Sequence, residues 1–298
     1  MNYISIDIGG TAIKAGVIDS EGEILHKMSV PTPKSSFDDL FHELCQIVDW
    51  AKSLTEIHGI AVSQPCATDS RTGQALSEGA LIYISGTNPA KRLGEHYRLP
   101  YAAENDGNCA ALAEVWIGNA KDVKNVALVV CGTGIGGSVI VDQKIISGKR
   151  NFAGEFGFFI TGFESDGRPM TWSGNGSTTA LINTYSKVTG EDVNRLNGII
   201  IFERAEAGEE AAMKCVDDFY RVFAYGVHNI QHVYDPERIL VGGAVSARPD
   251  FISRIEAQID TLHSQLFGLM SKPELRVCAC GADANLIGAV YHLLHSTD

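Results

Sequence analysis

Apolar residues along this chain recur with two periods. Residues 3–8 and 13–18 are apolar-rich runs on either side of Gly9-Gly10-Thr11, a pattern that predicts a strand, a tight glycine turn and a returning strand. The segment 125–145 repeats the plan, with Gly132-Thr133-Gly134-Ile135-Gly136-Gly137 between its two apolar runs. Between these hairpins, apolar residues at 37, 40, 41, 44, 47, 48 and 51 have helical spacing and predict a helix over 37–53. A strand is expected over 57–62, and helices over 108–117, 177–189, 209–234, 252–266 and 284–294, with a strand over 238–241 ending in Gly242-Gly243. Strands alternate with helices in both halves, so the fold class is α/β with mixed sheets. A glycine hairpin that recurs in the second half suggests two domains of similar design.

The length of 298 residues accommodates two such domains, each with its own core. A hydrophobic fraction of 45% and a charged fraction of 20% belong to an ordinary folded protein. The net charge of −12, without a Lys/Arg cluster, argues against nucleic acid as a partner. No apolar run reaches the roughly 18 residues of a membrane span, and the N-terminus lacks a basic start followed by an apolar stretch. A cytoplasmic protein without a membrane partner is expected. The seven scattered cysteines read as free buried thiols rather than a disulfide framework, and Cys278-Ala279-Cys280 is too isolated to make a four-ligand metal site.

Asp7-Ile8-Gly9-Gly10-Thr11 sets a carboxylate beside two glycines and a hydroxyl. Glycines let backbone N–H groups approach phosphate oxygens, and an acidic residue beside such a turn can hold Mg²⁺ through water. Asp7 is the candidate for that role, and Lys14 on the returning strand could add positive charge. A plain hairpin turn is the alternative for one motif, but Gly132, Thr133, Gly134, Gly136 and Gly137 form a second turn richer in glycine than a hairpin needs. Neither turn fits the Walker A or dinucleotide patterns, because each is followed by a strand. Gly242 and Gly243 are placed to lie against a purine and ribose, or simply to end a strand. Glu104-Asn105-Asp106-Gly107-Asn108 is a polar cluster where a strand meets a helix. Asp106 there is either a helix cap or the base that takes a proton from an attacking hydroxyl, with Asn105 beside it to bind neighbouring hydroxyls.

These motifs, with Ala153-Gly154-Glu155-Phe156-Gly157, occur in an order that resembles the ROK family of sugar kinases, repressors and uncharacterised open reading frames. The resemblance implies the ribonuclease H-like, actin/hexokinase-type fold, with two α/β domains, an interdomain cleft for ATP, Mg²⁺ and sugar, and usually a homodimer. It implies an N-terminal domain of residues 1–118 plus 284–298 and a C-terminal domain of 119–283, the last helix returning to the first domain. By position, Asp106 resembles the catalytic base, Asn105, Glu155 and Gly79 the sugar ligands, and Gly9, Gly10, Thr11 and the later glycines the phosphate loops.

Two departures carry information. ROK kinases commonly have His after the Gly-Glu-x-Gly stretch, and with a cysteine-rich loop it holds a structural zinc; here Phe158 takes that place and the following segment has no cysteine, so no zinc site is expected. The zinc loop also delivers a glutamate to the anomeric end of the sugar, and the corresponding place falls near Ser173 to Asn175. Its loss would leave room for a glycoside, and this variant resembles the family's β-glucoside kinases, which phosphorylate the 6-hydroxyl of the non-reducing glucose of substrates such as cellobiose. Phe158, Phe159, Phe163 and Trp172 could face the second ring, or could fill the core space of the missing loop. Cys66 stands where the family commonly has Gly, beside the sugar pocket. A glucokinase or an N-acetylhexosamine (N-acetylmannosamine) kinase is the alternative. A non-catalytic sugar sensor is a second alternative, disfavoured because the base is present; a repressor's DNA-binding domain is not expected, because the first glycine turn comes at residues 9–11.

Overall fold

The computed structural model describes residues 1–266 and 271–296, organised as two compact units. Met1–Asp122, Ser147–Phe152 and Ala279–Asp298 form the first, and Val123–Ile146 with Ala153–Cys278 the second. Among the described residues, no helix is long and apolar enough to cross a membrane.

The first unit is built on a sheet of order β3-β2-β1-β4-β7, comprising β1 (Asn2–Ile8), β2 (Ala12–Asp19), β3 (Ile24–Pro31), β4 (Ile60–Gln64) and β7 (Tyr101–Asn105). The β1–β2–β3 meander is antiparallel, whereas β1, β4 and β7 run parallel. A small ribbon, β5 (Thr68–Asp69) and β6 (Gln74–Ala75), leaves the end of β4. Alternation along each strand divides the side chains between two faces. Ile4, Ile6, Ile8, Ile13, Ala15 and Val17 pack with the apolar stripe of α1 (Phe37–Leu54), namely Leu40, Leu44, Ile47, Val48 and Ala51, and with α2 (Pro89–Tyr97). Ser36 starts α1 by accepting a hydrogen bond from Asp39 N at 3.1 Å. Each buried Leu or Ile of that stripe contributes about 1.5–3 kcal/mol, and Leu44→Ala would cost about 2–5 kcal/mol.

The opposite face holds α3 (Asp106–Trp116) and α9 (Ala284–His295) over Tyr3, Ile18, Ala61 and Ala102. Gly288 permits their contact: a methyl group on it would overlap the Cys109 carbonyl oxygen. Three further bonds tie the start of α9 down. Ser5 Oγ donates to Leu286 O at 2.7 Å, buried Glu114 accepts from Cys280 N at 2.8 Å, and Lys27 pairs with Asp283 at 2.9 Å.

The second unit repeats the arrangement in the sheet β10-β9-β8-β13-β14, from β8 (Val126–Cys131), β9 (Ile135–Val141), β10 (Lys144–Ile145), β13 (Arg238–Gly242) and β14 (Leu275–Val277). Here too an antiparallel hairpin adjoins a parallel half. A separate ribbon pairs β11 (Ile160–Phe163) with β12 (Pro169–Thr171). The helices are α4 (Trp172–Gly176), α5 (Thr178–Thr189), α6 (Gly198–Glu206), α7 (Glu210–Tyr234) and α8 (Phe251–Gln265). Their core centres on Trp172, Tyr185, Tyr220, Phe223 and Phe251.

The two hairpins and the long helices lie where periodicity placed them. Differences concentrate at polar ends and in short elements. The helix expected from 108 begins at Asp106, because Asn105 caps it; the strand expected from 57 begins at Ile60. Strands β3 and β14, helices α2 and α6 and both small ribbons were not anticipated.

Candidate active site

In the first unit, register gathers the chemistry. Lys14 lies opposite Ser29 on one side and Asp7 on the other, Asp7 opposite Ser63, and Ser63 opposite Glu104. Directly opposed residues share a face, so the sheet carries a polar row on its α3/α9 side. Asp7 is 8% exposed and Glu104 1%. Asp7 Oδ1 accepts from Ser63 Oγ at 2.8 Å and from Asn285 Nδ2 at 3.2 Å. Its other oxygen takes no hydrogen bond among the described residues. Glu104 Oε1 accepts from Asn105 N at 2.7 Å and Asn108 Nδ2 at 3.1 Å.

Asp106 begins α3 one step beyond this row. It is not the helix cap, for Asn105 Oδ1 accepts from Asn108 N at 3.2 Å. Asp106 Oδ1 instead accepts from Gly107 N and Asn105 Nδ2, each at 2.9 Å. Burial raises the Asp106 carboxyl to about 6; the Gly107 N–H opposes the rise, the negative charge of Asp7 adds to it, and the Asn105 amide opposes it. The buried Cys109 thiol marks the convergence: desolvation lifts it well above the ordinary range, and Glu104, Asp7 and Asp106 add to the lift. Among the described residues none of these three carboxylates has an ion-pair partner.

Asn105 was expected to bind sugar hydroxyls. Its amide donates to Cys66 O at 3.1 Å and to Asp106, while its oxygen caps the helix. That leaves one oxygen lone pair for a hydroxyl, and makes orientation of Asp106 its evident work. Gly79 has φ +52°, and a methyl group there would overlap Pro65 O. It therefore lies against Pro65 and Cys66, and its neighbour Ala80 lies against Gly10. Cys66 is buried and its thiol is pushed up to about 11, mainly by desolvation, so it stays protonated.

The Gly9-Gly10-Thr11 turn is braced by groups that sequence reading missed. Thr32 Oγ1 donates to Gly9 O at 2.7 Å, Thr32 N to Thr11 O at 3.0 Å, and Lys34 Nζ to Gly10 O. Thr32 and Lys34 follow β3, and a Thr-Pro-Lys stretch after an unrecognised strand carries no signal of its own. Ser63 and Asn285 could be found only through register and helix docking. Lys14 is exposed beside Asp7.

In the second unit the Gly132–Gly137 turn closes with Gly132 N donating to Gly134 O at 2.9 Å, and Thr133 and Gly134 are exposed. Open space surrounds the positions where side chains would begin at Gly132 and Gly136. Gly137, by contrast, is packed against the Phe156 ring. Gly243, at φ +97°, lies against the Cys131 carbonyl, which brings the end of β13 beside the end of β8; a methyl group on Gly242 would lie 3.1 Å from Cys278 Sγ. Glu155 is exposed, its carboxylate makes no hydrogen bond or ion pair among the described residues, and its carboxyl is raised by partial desolvation.

The aromatic set divides. Trp172 is fully buried, stacked on Phe159 at 6.4 Å and edge-on to Phe223 at 5.2 Å, so of the two roles open to it from the sequence it takes the core one. Phe159 packs on the same core, whereas Phe158 and Phe163 are 70% and 69% exposed. The stretch near Ser173 to Asn175 is committed as well. Ser173 Oγ accepts from Ile135 N at 2.8 Å and donates to Ile135 O at 3.2 Å, and Asn175 Oδ1 accepts from Thr161 Oγ1 at 2.7 Å. Ser173 thus clamps the second glycine hairpin to α4.

The chain is similar to known proteins over its whole length. The ROK family model matches residues 3–296. A β-glucoside kinase of Listeria monocytogenes is 32% identical over 296 residues, covering 99% of this chain and 98% of the relative. A ROK family protein of Streptococcus pneumoniae TIGR4, solved in complex with sucrose, superposes with a TM-score of 0.89 at 32% identity and full coverage of this chain and 99% of that one. A ROK family glucokinase of Streptomyces griseus, solved with glucose and AMPPNP, gives 0.77 at 25% identity over 97% of this chain and 98% of that one. With its family model matched from end to end and kinases among its full-length relatives, the chain belongs to the ROK family and is a carbohydrate kinase.

Proposed function

We propose that this kinase transfers the γ-phosphoryl group of ATP to the 6-hydroxyl of the non-reducing glucose of a β-glucoside such as cellobiose, as a homodimer. The observation that carries the reading is the 153–163 stretch: an exposed Glu155 carboxylate without a protein partner, followed at three residues by an exposed aromatic, Phe158. Glu155 offers two acceptor oxygens to glucose hydroxyls. Phe158 offers an apolar face of the kind that packs on sugar C–H groups. The full-length relative that acts on β-glucosides supports the same choice.

Asp106 is the proposed base. A carboxyl that titrates near 6 is ionised at neutral pH yet basic enough to accept the hydroxyl proton as the sugar oxygen attacks phosphorus. Asn105 and the Gly107 N–H hold it for that task. Thr133 and Gly134, exposed at the tip of the second turn, offer backbone amides to phosphate oxygens, and Gly132 and Gly136 leave room for those oxygens, while Gly242 and Gly243 provide a flat backbone for the nucleoside. Asp7 fits Mg²⁺ held through water: it is a hard oxygen donor with one oxygen pinned and the other unbonded. Bound there, the ion would neutralise charge on the polyphosphate; Lys14 and Lys34 add to that neutralisation. No zinc site is proposed, since the segment 158–178 has neither Cys nor His.

A coupled ATP-consumption assay over cellobiose, gentiobiose, an aryl β-glucoside, glucose and N-acetylmannosamine tests the reading, with the phosphorylated position assigned by NMR. The β-glucosides should give the highest kcat/KM and a 6-phosphate on the non-reducing ring. Turnover confined to free monosaccharides would replace this assignment with a glucokinase or N-acetylhexosamine kinase.

A further inference from the structure

Two donors converge on a single oxygen of Asp7. Ser63 reaches it from β4 at 2.8 Å and Asn285 from the first turn of α9 at 3.2 Å. Both bonds fall on Oδ1, so the carboxylate plane is fixed while Oδ2 stays free. Asn285 itself has little freedom. The start of α9 is held by Glu114 on Cys280 N, by Ser5 on Leu286 O, by Lys27 on Asp283, and by the close approach of Gly288 to Cys109. A carboxylate that binds a cation through water must present its free oxygen in one direction, and outer groups that orient such a ligand commonly control affinity more than stability.

We propose that Asn285, with Ser63, is a positioning residue for the metal–nucleotide site, through which the C-terminal helix sets the orientation of Asp7. The inference rests on the kinase reading above and on the role given there to Asp7. Asn285 touches neither nucleotide nor sugar in this account; it acts through the Asp7 carboxylate. Replacing its amide by a methyl group frees the carboxylate to rotate about its last torsion. Ser63 alone then holds Oδ1, and the free oxygen spends part of its time directed away from the cation.

The test uses the full-length protein and Mn²⁺ as the probe, followed by EPR during titration in the presence of ADP. Asn285→Ala should weaken Mn²⁺ binding about tenfold and raise the Mg²⁺ concentration for half-maximal activity by the same factor. The sugar KM should stay within about twofold, kcat at saturating Mg²⁺ within about threefold, and the melting temperature within a few degrees. Asn285→Ser, which keeps a short donor, should recover most of the metal affinity. Unchanged Mn²⁺ affinity in Asn285→Ala, with wild-type protein binding Mn²⁺–ADP and turning over normally, overturns the inference and leaves the kinase reading standing. Equal losses in metal affinity, sugar KM and melting temperature, without recovery in Asn285→Ser, also overturn it by making Asn285 a fold residue. Wild-type protein that neither binds Mn²⁺–ADP nor transfers phosphate removes the kinase reading, and this inference with it.

Discussion

The two glycine turns are alike in sequence and differ in construction. The first, Gly9-Gly10-Thr11, is enclosed by its own unit: Thr32 and Lys34 bond its carbonyls, and Ala80 lies against Gly10. The second, Gly132 to Gly137, is anchored at its base, where Thr178 N bonds the Gly132 carbonyl at 3.0 Å, Phe156 packs on Gly137 and Ser173 clamps Ile135, while the side-chain positions of Gly132 and Gly136 face open space. Glycine marks close approach in both places, but what approaches differs. In the first turn it is the protein, and the carboxylates proposed for chemistry, Asp7 and Asp106, lie beside the turn. In the second it is space that phosphate oxygens could fill, with the backbone as the proposed binding group.

Replacements at glycine should break this contrast most visibly. Gly243→Ala puts a side chain at φ +97° and into the Cys131 carbonyl, so a loss of roughly 3 kcal/mol or more is expected in thermal or denaturant unfolding. Gly132→Ala meets nothing, and its stability should stay within about 0.5 kcal/mol of the parent while the KM for ATP rises several-fold. Similar destabilisation by both would erase the distinction drawn between enclosed and open glycines.

The acid limb of the rate profile comes next. As the proposed base Asp106 must be ionised, and its carboxyl is raised to about 6, so kcat/KM should fall about tenfold per pH unit below that value. A profile flat down to pH 5 would assign the base elsewhere. A smaller effect is expected at Phe158. Phe158→Ala should raise KM for aryl β-glucosides about five- to tenfold, in line with an aromatic contact of about 1 kcal/mol, and leave KM for glucose nearly unchanged. Equal changes for both sugars would move the aglycone contact off this ring. The least effect belongs to Cys66. Buried and pushed up to about 11, its thiol should leave activity intact during brief treatment with iodoacetamide at pH 7.5, and rapid inactivation traced to Cys66 would contradict its burial.

The hairpins, the long helices and Asp106 were legible because each has a local signal: a glycine pair between apolar runs, helical spacing over four or more turns, and dense polarity at a strand end. The recurrence of the hairpin suggested two units of similar design, and the two sheets share a strand order that the sequence did not specify. What was not legible depends on groups distant in the chain. Asn285 meets Asp7 across almost the whole sequence, and Ser63 joins it only through β1–β4 register. Glu114 looks like an ordinary helix carboxylate until α9 docks on it. Trp172 shows what aromatic content alone leaves open: a sugar contact and a core role were both compatible with the sequence, and only Gly176 and Gly226, the surfaces it is buried against, decide for the core.

The buried carboxylate of Asp106, the proposed base, is held in an environment that costs the fold something. Because its folded carboxyl is raised to about 6 from an ordinary 3.8, the native state binds more protons than the unfolded state between those values, so stability falls as pH rises through that window. Asn at this position carries no charge to bury. Asp106→Asn should therefore lower kcat roughly a thousandfold, with sugar affinity changed only a few-fold, while raising stability at pH 7.5 by an amount on the order of 1–2 kcal/mol. Measuring kcat, sugar affinity and melting temperature on this one variant is the most direct test. Near-normal turnover, or lost turnover together with a lowered melting temperature, would contradict the account.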